Sequence, residues 1–158
     1  MNDVLVYDEQ KINFIPYILS SVNLMTQQVK KEGMPLPKQY NMIAKEAGIA
    51  NIDKIKILYV DKIELPNFQN ISLLEEYDLD FENTRGLTLG YNIILKNSAP
   101  TEVLIHELRH AAQSELFDNL ELFVTVYVKE ILKFGYGNGP LEKDAVDFTN
   151  KWKDIYFE

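Results

Sequence analysis

The chain of 158 residues has no cysteine. That excludes a disulfide scaffold, thiolate metal sites, iron–sulfur clusters and a cysteine nucleophile. Arginine is scarce too, with Arg85 and Arg109 alone. A formal net charge of −8 opposes a phosphate backbone, so nucleic acid is not an expected partner. No apolar run approaches the ~20 residues that span a bilayer, and no membrane partner is expected. The first residues, Met1 to Asp8, are acidic and lack a basic region followed by an apolar one. No ordinary signal peptide is expected there, and the expected location is the cytoplasm. With 7 Gly and 6 Pro the chain is not linker-like or collagen-like.

What is present is core-forming material: 46% hydrophobic residues, including 8 Phe and 9 Tyr. The length suits one domain, residues 1–158, with a sizeable core. Phe14, Ile15, Ile18, Leu19, Val22 and Met25 recur at helical spacing and predict a helix over about 13–31. Asn13 can cap it, Pro16 falls in its first turn, and Gly33 with Pro35 and Pro37 ends it. A second helix is expected over about 38–48, closed by Gly48. Residues 53–63 alternate as a strand, with Ile55, Ile57 and Tyr59 on one face. The stretch 64–85 reads as loop, with a short helix at 72–78. Residues 87–95 read as a strand with Gly90 as a bulge. Three helices follow, at about 100–116 with Ser98 as cap, at 119–133, and at 140–155 opened by Pro140. Helices, then strands, then helices give an α+β class, mostly helical, with a small sheet before the third helix.

Both histidines of the chain lie in His106-Glu107-Leu108-Arg109-His110. On a helix, residues four apart stand on one face, one turn apart, so two imidazoles can converge on one metal ion. Glu107 then stands beside the ion rather than on it, where a general base belongs. This is the H-E-x-x-H pattern of zinc peptidases. Leu104, Ile105, Leu108, Ala111 and Ala112 would form the buried side of that helix, with both histidines on its border. The competing reading is a helix with two surface histidines and no ligand.

A catalytic zinc takes three protein ligands and keeps a position open. With no further His or Cys, the third ligand must be a carboxylate or a tyrosine. The carboxylates on the last helix are Glu142, Asp144 and Asp147. Glu142 is favoured for its place in the first turn and its reach, with Asp144 and Asp147 as alternatives. The turn 135–139 can bring that helix back over the motif.

His106-Glu107-Leu108-Arg109-His110 followed by Glu142-Lys143-Asp144-Ala145 resembles the gluzincin pattern. In that clan H-E-x-x-H is followed on a later helix by a Glu, in some families within E-x-x-A. The stretches Ile105 to Gln113 and Phe134 to Glu142 are similar to small metallopeptidase-like domains, some of them carried by extracellular contractile injection systems. Leu87 to Leu95 resembles the edge strand before their active-site helix. The resemblance covers about residues 86–148, and residues 1–80 match nothing specific.

The resemblance implies a minimal zincin-like fold, Zn2+ held by His106, His110 and Glu142, and Glu107 as base. It also implies a peptide or protein substrate and a secretion or injection machinery as a partner, with export as cargo an alternative to residence in the cytoplasm. The activity it implies is peptide hydrolysis through a metal-activated water. An inactive zincin-fold binding or effector module and a metal-free helical interaction protein are the alternatives. Many gluzincins carry an acid four residues after the Glu ligand, which orients the first His. Here that position is Val146, and Asp147 is one residue late. A peptidase also needs a group for the oxyanion, and Tyr136 in the glycine-flanked turn is the favoured catalytic candidate, with Tyr127 the other.

Overall fold

In a computed structural model the chain is described for residues 15–64 and 83–156. Asn13, Phe14, most of the expected loop and its short helix at 72–78 lie outside these residues. The described elements are mostly helical with one small sheet, an α+β architecture. Helix α1 spans Ile15–Glu32, with Pro16 in its first turn. A two-residue strand β1 (Met34–Pro35) and a short 3-10 turn (Lys38–Tyr40) lead into α2 (Asn41–Glu46). Strand β2 (Lys56–Val60) is followed by β3 (Gly86–Leu89) and β4 (Asn92–Lys96). Helices α3 (Thr101–Glu115), α4 (Leu120–Phe134) and α5 (Pro140–Tyr156) complete the described chain.

The strands form one mixed sheet in the order β1-β2-β4-β3. β2 and β4 run parallel, with Ile57 opposite Ile93, while β1 and β3 pair antiparallel to their neighbours. Side chains of a strand alternate between faces, and both faces are covered. Ile57, Ile93 and Leu95 pack with Leu104, Ile105, Leu108 and Ala111 of α3 and with Ile43 of α2. On the opposite face Leu89 and Ile94 pack with Ile18, Val22 and Met25 of α1 and with Phe123 and Val128 of α4. Ile105 and Leu108 are fully buried. At ~1.5–3 kcal/mol for each such side chain, they seat the H-E-x-x-H helix firmly on the sheet.

Several local expectations are corrected. The segment 87–95 is a hairpin, not one bulged strand. Gly90 takes φ +69° in the two-residue turn, and Leu89 pairs with Asn92. A positive φ at the first turn position suits glycine, and the chain reverses there. The strand expected over 53–63 is confined to Lys56–Val60, because Ile52–Lys54 form a 3-10 turn. Along the segment 53–63, Ile55 and Ile57 are buried and Tyr59 is 44% exposed. Among the described residues the short β1 pairs with Lys56 and Ile57 and does not reach Tyr59. Part of the second expected helix is the 3-10 turn, and its α-helical part ends at Glu46, two residues before Gly48. Ser98 does not cap α3. It lies in the turn closed by Ala99 N–H donating to the Lys96 carbonyl, and Pro100 occupies the cap position without a side-chain cap. Asn119 does cap α4, accepting from Leu122 N–H at 2.8 Å.

Candidate metal centre

Residues of α3 and α5 build the centre, and the turn between α4 and α5 brings them together. Gly135 (φ +86°) stops α4, its N–H donating to the Ile131 carbonyl at 2.8 Å. Gly137 also has a positive φ, +80°, and the chain turns back within five residues to Pro140. Proline is preorganised for a first helical position and has no N–H to leave unpaired. The Glu130 carboxylate accepts from Leu141 N–H at 3.0 Å and so ties the start of α5 to α4. One residue later, Glu142 faces the two histidines.

The donor atoms converge. His106 Nε2 and His110 Nε2 are 3.1 Å apart. Glu142 presents Oε1 to His110 Nε2 at 2.9 Å and Oε2 to His106 Nε2 at 3.1 Å. The imidazole rings stand edge to face, with centroids 4.7 Å apart. His106, His110 and Glu142 form a group that can hold a metal ion. Four donors arranged tetrahedrally at ~2.0–2.1 Å from a zinc ion are about 3.3–3.4 Å from one another. The observed separations are slightly tighter than the edges of that figure.

Hydrogen bonding supplies a second test of fit. Gln113 Nε2 donates to the Leu141 carbonyl at 2.9 Å and to Asp144 Oδ2 at 2.7 Å. Those two acceptors orient the amide, so Gln113 Oε1, 2.8 Å from His110 Nδ1, must accept from it. The proton of neutral His110 is then on Nδ1, and Nε2 turns a bare lone pair toward a carboxylate oxygen. Such an arrangement requires a cation: a metal ion, or a proton that makes the ring imidazolium. In the metal-free protein the proton serves. Burial lowers the His110 pKa, but the Glu142 hydrogen bond and the charges of Glu107 and Glu142 outweigh it and raise it from 6.5 to about 9. Burial likewise works against the Glu142 carboxylate. Hydrogen bonds from both histidines overturn that and hold its pKa far below the usual carboxylate range.

The neighbours of these groups are set by packing. Tyr127 of α4 donates its hydroxyl to Glu142 Oε1 at 2.7 Å, and its ring lies edge-on to His110. Burial, and then the charge of Glu142, push the Tyr127 pKa well above 10. Glu107 is buried, and its carboxylate accepts from Thr88 Oγ1 at 2.5 Å. Gly86, two residues earlier on β3, makes room: a Cβ there would lie 3.0 Å from Glu107 Oε1 and 2.8 Å from Val103 Cγ1. Strand β3 therefore fixes where the Glu107 carboxylate rests.

Of the three carboxylates open to the third position, Glu142 alone faces both histidines. Asp144 receives Arg109 Nε at 2.7 Å and Nη2 at 3.1 Å, so Arg109 has the carboxylate partner its helix position allows. That contact with Arg109 is the first cause of a lowered Asp144 pKa. Asp147 is exposed, as is Val146, and neither hydrogen-bonds His106 among the described residues. Tyr136 is 49% exposed on the glycine turn and lines the cavity at the centre.

Gln113, Thr88 and Gly86 belong to the centre without belonging to the H-E-x-x-H pattern. Gln113 stands three residues after His110 on one helix, a spacing at which side chains meet, and that was its available signal. Nothing local marks Thr88 or Gly86.

Two spaces meet at the centre. One is a mostly apolar cavity of about 100 Å³ between α1, β3 and α4. The other is an open cleft of about 440 Å³ whose lining includes Arg85, Glu102 and Asn150. Both are lined by Gly86, His106, Glu107, Tyr136 and Glu142. Among the described residues no helix is long and apolar enough to cross a membrane. No family model matches the chain, and no curated protein or solved structure matches it.

Proposed function

We propose that this protein is a zinc-dependent peptidase of gluzincin type. The observation that carries the reading is the convergence of His106 Nε2, His110 Nε2 and the Glu142 carboxylate within 2.9–3.1 Å, with the lone pair of His110 turned inward by Gln113. Two imidazoles and one carboxylate with a position left open are the donor set of hydrolytic zinc sites. Zinc bound there supplies a Lewis acid that polarises a carbonyl and makes water acidic near neutral pH.

The chain's own groups do the rest. Glu107, held by Thr88 at the border of the cavity, takes a proton from the attacking water and delivers it to the leaving amine. Tyr136, exposed at the mouth, is our candidate donor to the oxyanion. Tyr127 donates its hydroxyl to Glu142 and so supports the proposed ligand instead. Strand β3, at the edge of the sheet, offers its backbone to an extended peptide. The acidic balance of the chain favours neutral or basic substrates.

The test has two parts. Metal analysis of the purified protein should find about one zinc per chain, lost in His106→Ala. Peptide-library digestion read by mass spectrometry should show cleavage that Glu107→Gln slows by ~10²–10⁴-fold while zinc is retained. Full zinc occupancy with no peptide cut by the wild type would favour the inactive binding module instead.

A further inference from the structure

The cavity beside the metal centre is shaped for one kind of side chain. Its walls are Ile18 and Val22 of α1, Leu87 of β3, and Val124, Val128 and Ile131 of α4. Four hydroxyl-bearing residues line it, Thr84, Thr88, Tyr127 and Tyr136, of which Thr88 donates to Glu107 at 2.5 Å and Tyr127 to Glu142 at 2.7 Å. A charged or amide side chain entering here would give up its water for a mostly apolar lining, at a cost that an aliphatic side chain does not carry. The carboxylates of Glu107 and Glu142 at the mouth repel acidic groups further.

Size narrows the choice. A cavity of ~150 Å³ takes benzene. The space here is about 100 Å³, too small for a phenyl or indole ring and enough for a branched or linear aliphatic chain. Position gives the register. Among the described residues β3 is the last strand of the sheet and borders the cavity, so a peptide laid along it directs alternate side chains toward either face.

We infer that the substrate carries a leucine- or methionine-sized side chain next to the bond that is cut, and that this side chain fills the cavity. The inference rests on the peptidase reading and assigns α1, from the part of the chain without a family resemblance, to substrate selection.

Binding tests it without turnover. Peptide hydroxamates carrying Gly, Val, Leu, Met, Phe or Trp beside the hydroxamate are titrated calorimetrically into the zinc-loaded full chain. Leu and Met should bind on the order of 100-fold more tightly than Gly, since each adds several buried carbons. Phe and Trp should fall back toward Gly. Val128→Phe, which fills the cavity, should bring Leu down to the Gly level, with retained zinc and an unchanged melting profile reporting the fold. Should that variant not fold, Val124→Met narrows the same space more gently.

Equal affinity across the series with zinc bound, or tightest binding by Trp, overturns the inference. Failure of the chain to bind zinc overturns it together with the metal reading. Selective binding of Leu and Met with no peptide ever cleaved supports the pocket and sinks the hydrolase.

Discussion

Gln113→Met isolates the argument about His110. Methionine keeps the length and bulk of glutamine and removes both ends of its hydrogen bonding. The wild-type amide accepts from His110 Nδ1 at 2.8 Å and donates to the Leu141 carbonyl at 2.9 Å and to Asp144 at 2.7 Å. Three net hydrogen bonds at roughly 1 kcal/mol each amount to about 3 kcal/mol of stability. In a chain of this length 1 kcal/mol moves Tm by ~2–4 °C, so a fall of roughly 6–12 °C is expected without metal. The separate effect is on zinc. With no acceptor at Nδ1, the His110 ring is free to carry its proton on Nε2, the atom that must be bare to bind. Loss of such a partner weakens metal affinity by ~10–100-fold. Competition against a chromophoric chelator measures the affinity, and thermal unfolding with and without zinc measures the stability. A variant that melts lower yet binds zinc within about threefold of wild type would refute the assignment of the His110 proton.

The metal-free protein should also show a distinctive pH dependence. His110 is raised from 6.5 to about 9, so its contribution is complete below pH 6.5 and is lost as pH rises through about 9. Glu142 is lowered, so its contribution is present above its ordinary value of 4.5 and is lost on acidification. Tm of the metal-free chain should therefore peak between about pH 5 and 6.5 and fall toward pH 9, whereas zinc should remove the alkaline fall; a flat profile from 6.5 to 9 contradicts the pairing. Gly86→Ala puts a Cβ 3.0 Å from the Glu107 carboxylate and 2.8 Å from Val103. It should lower stability by ~1–3 kcal/mol and cut hydrolysis more than it cuts zinc binding, read by melting, turnover and metal content. Arg109→Ala removes the fork on Asp144 and a 2.7 Å bond to the Ala47 carbonyl. Because that ion pair is partly exposed, the expected loss is only about 1 kcal/mol by chemical denaturation, with zinc retained.

The helices that carry the chemistry were legible because each is a long amphipathic run with a stop after it. Gly135 and Pro140 mark an end and a start by their own backbone preferences, and the structure uses them so. The sheet was harder. Leu87 to Leu95 is a mostly apolar stretch with Gly90 in its middle, and strand periodicity does not show that the chain reverses inside it. Met34–Pro35 is too short to have a period at all. The parallel pairing of β2 with β4 joins segments far apart in sequence, which no local pattern reports. At the centre, the spacing of His106 and His110 was visible, and the first-turn position of Glu142 singled out the residue that faces them. Gln113 was not, because an amide has no chemistry of its own. Its role exists only after the glycine turn has carried Leu141 and Asp144 within reach of it.

The two margins of the sheet are unlike. One ends in Met34–Pro35, where proline has no amide hydrogen to offer a newcomer and the strand lasts two residues. Growth by strand exchange between copies of the chain is discouraged at that border. The opposite margin, with Gly86 and Thr88, keeps four residues of ladder and lies against the imidazoles. Among the described residues the longer stretch of outer ladder therefore lies on the β3 margin, beside the cavity, and the proline-ended margin is the shorter one.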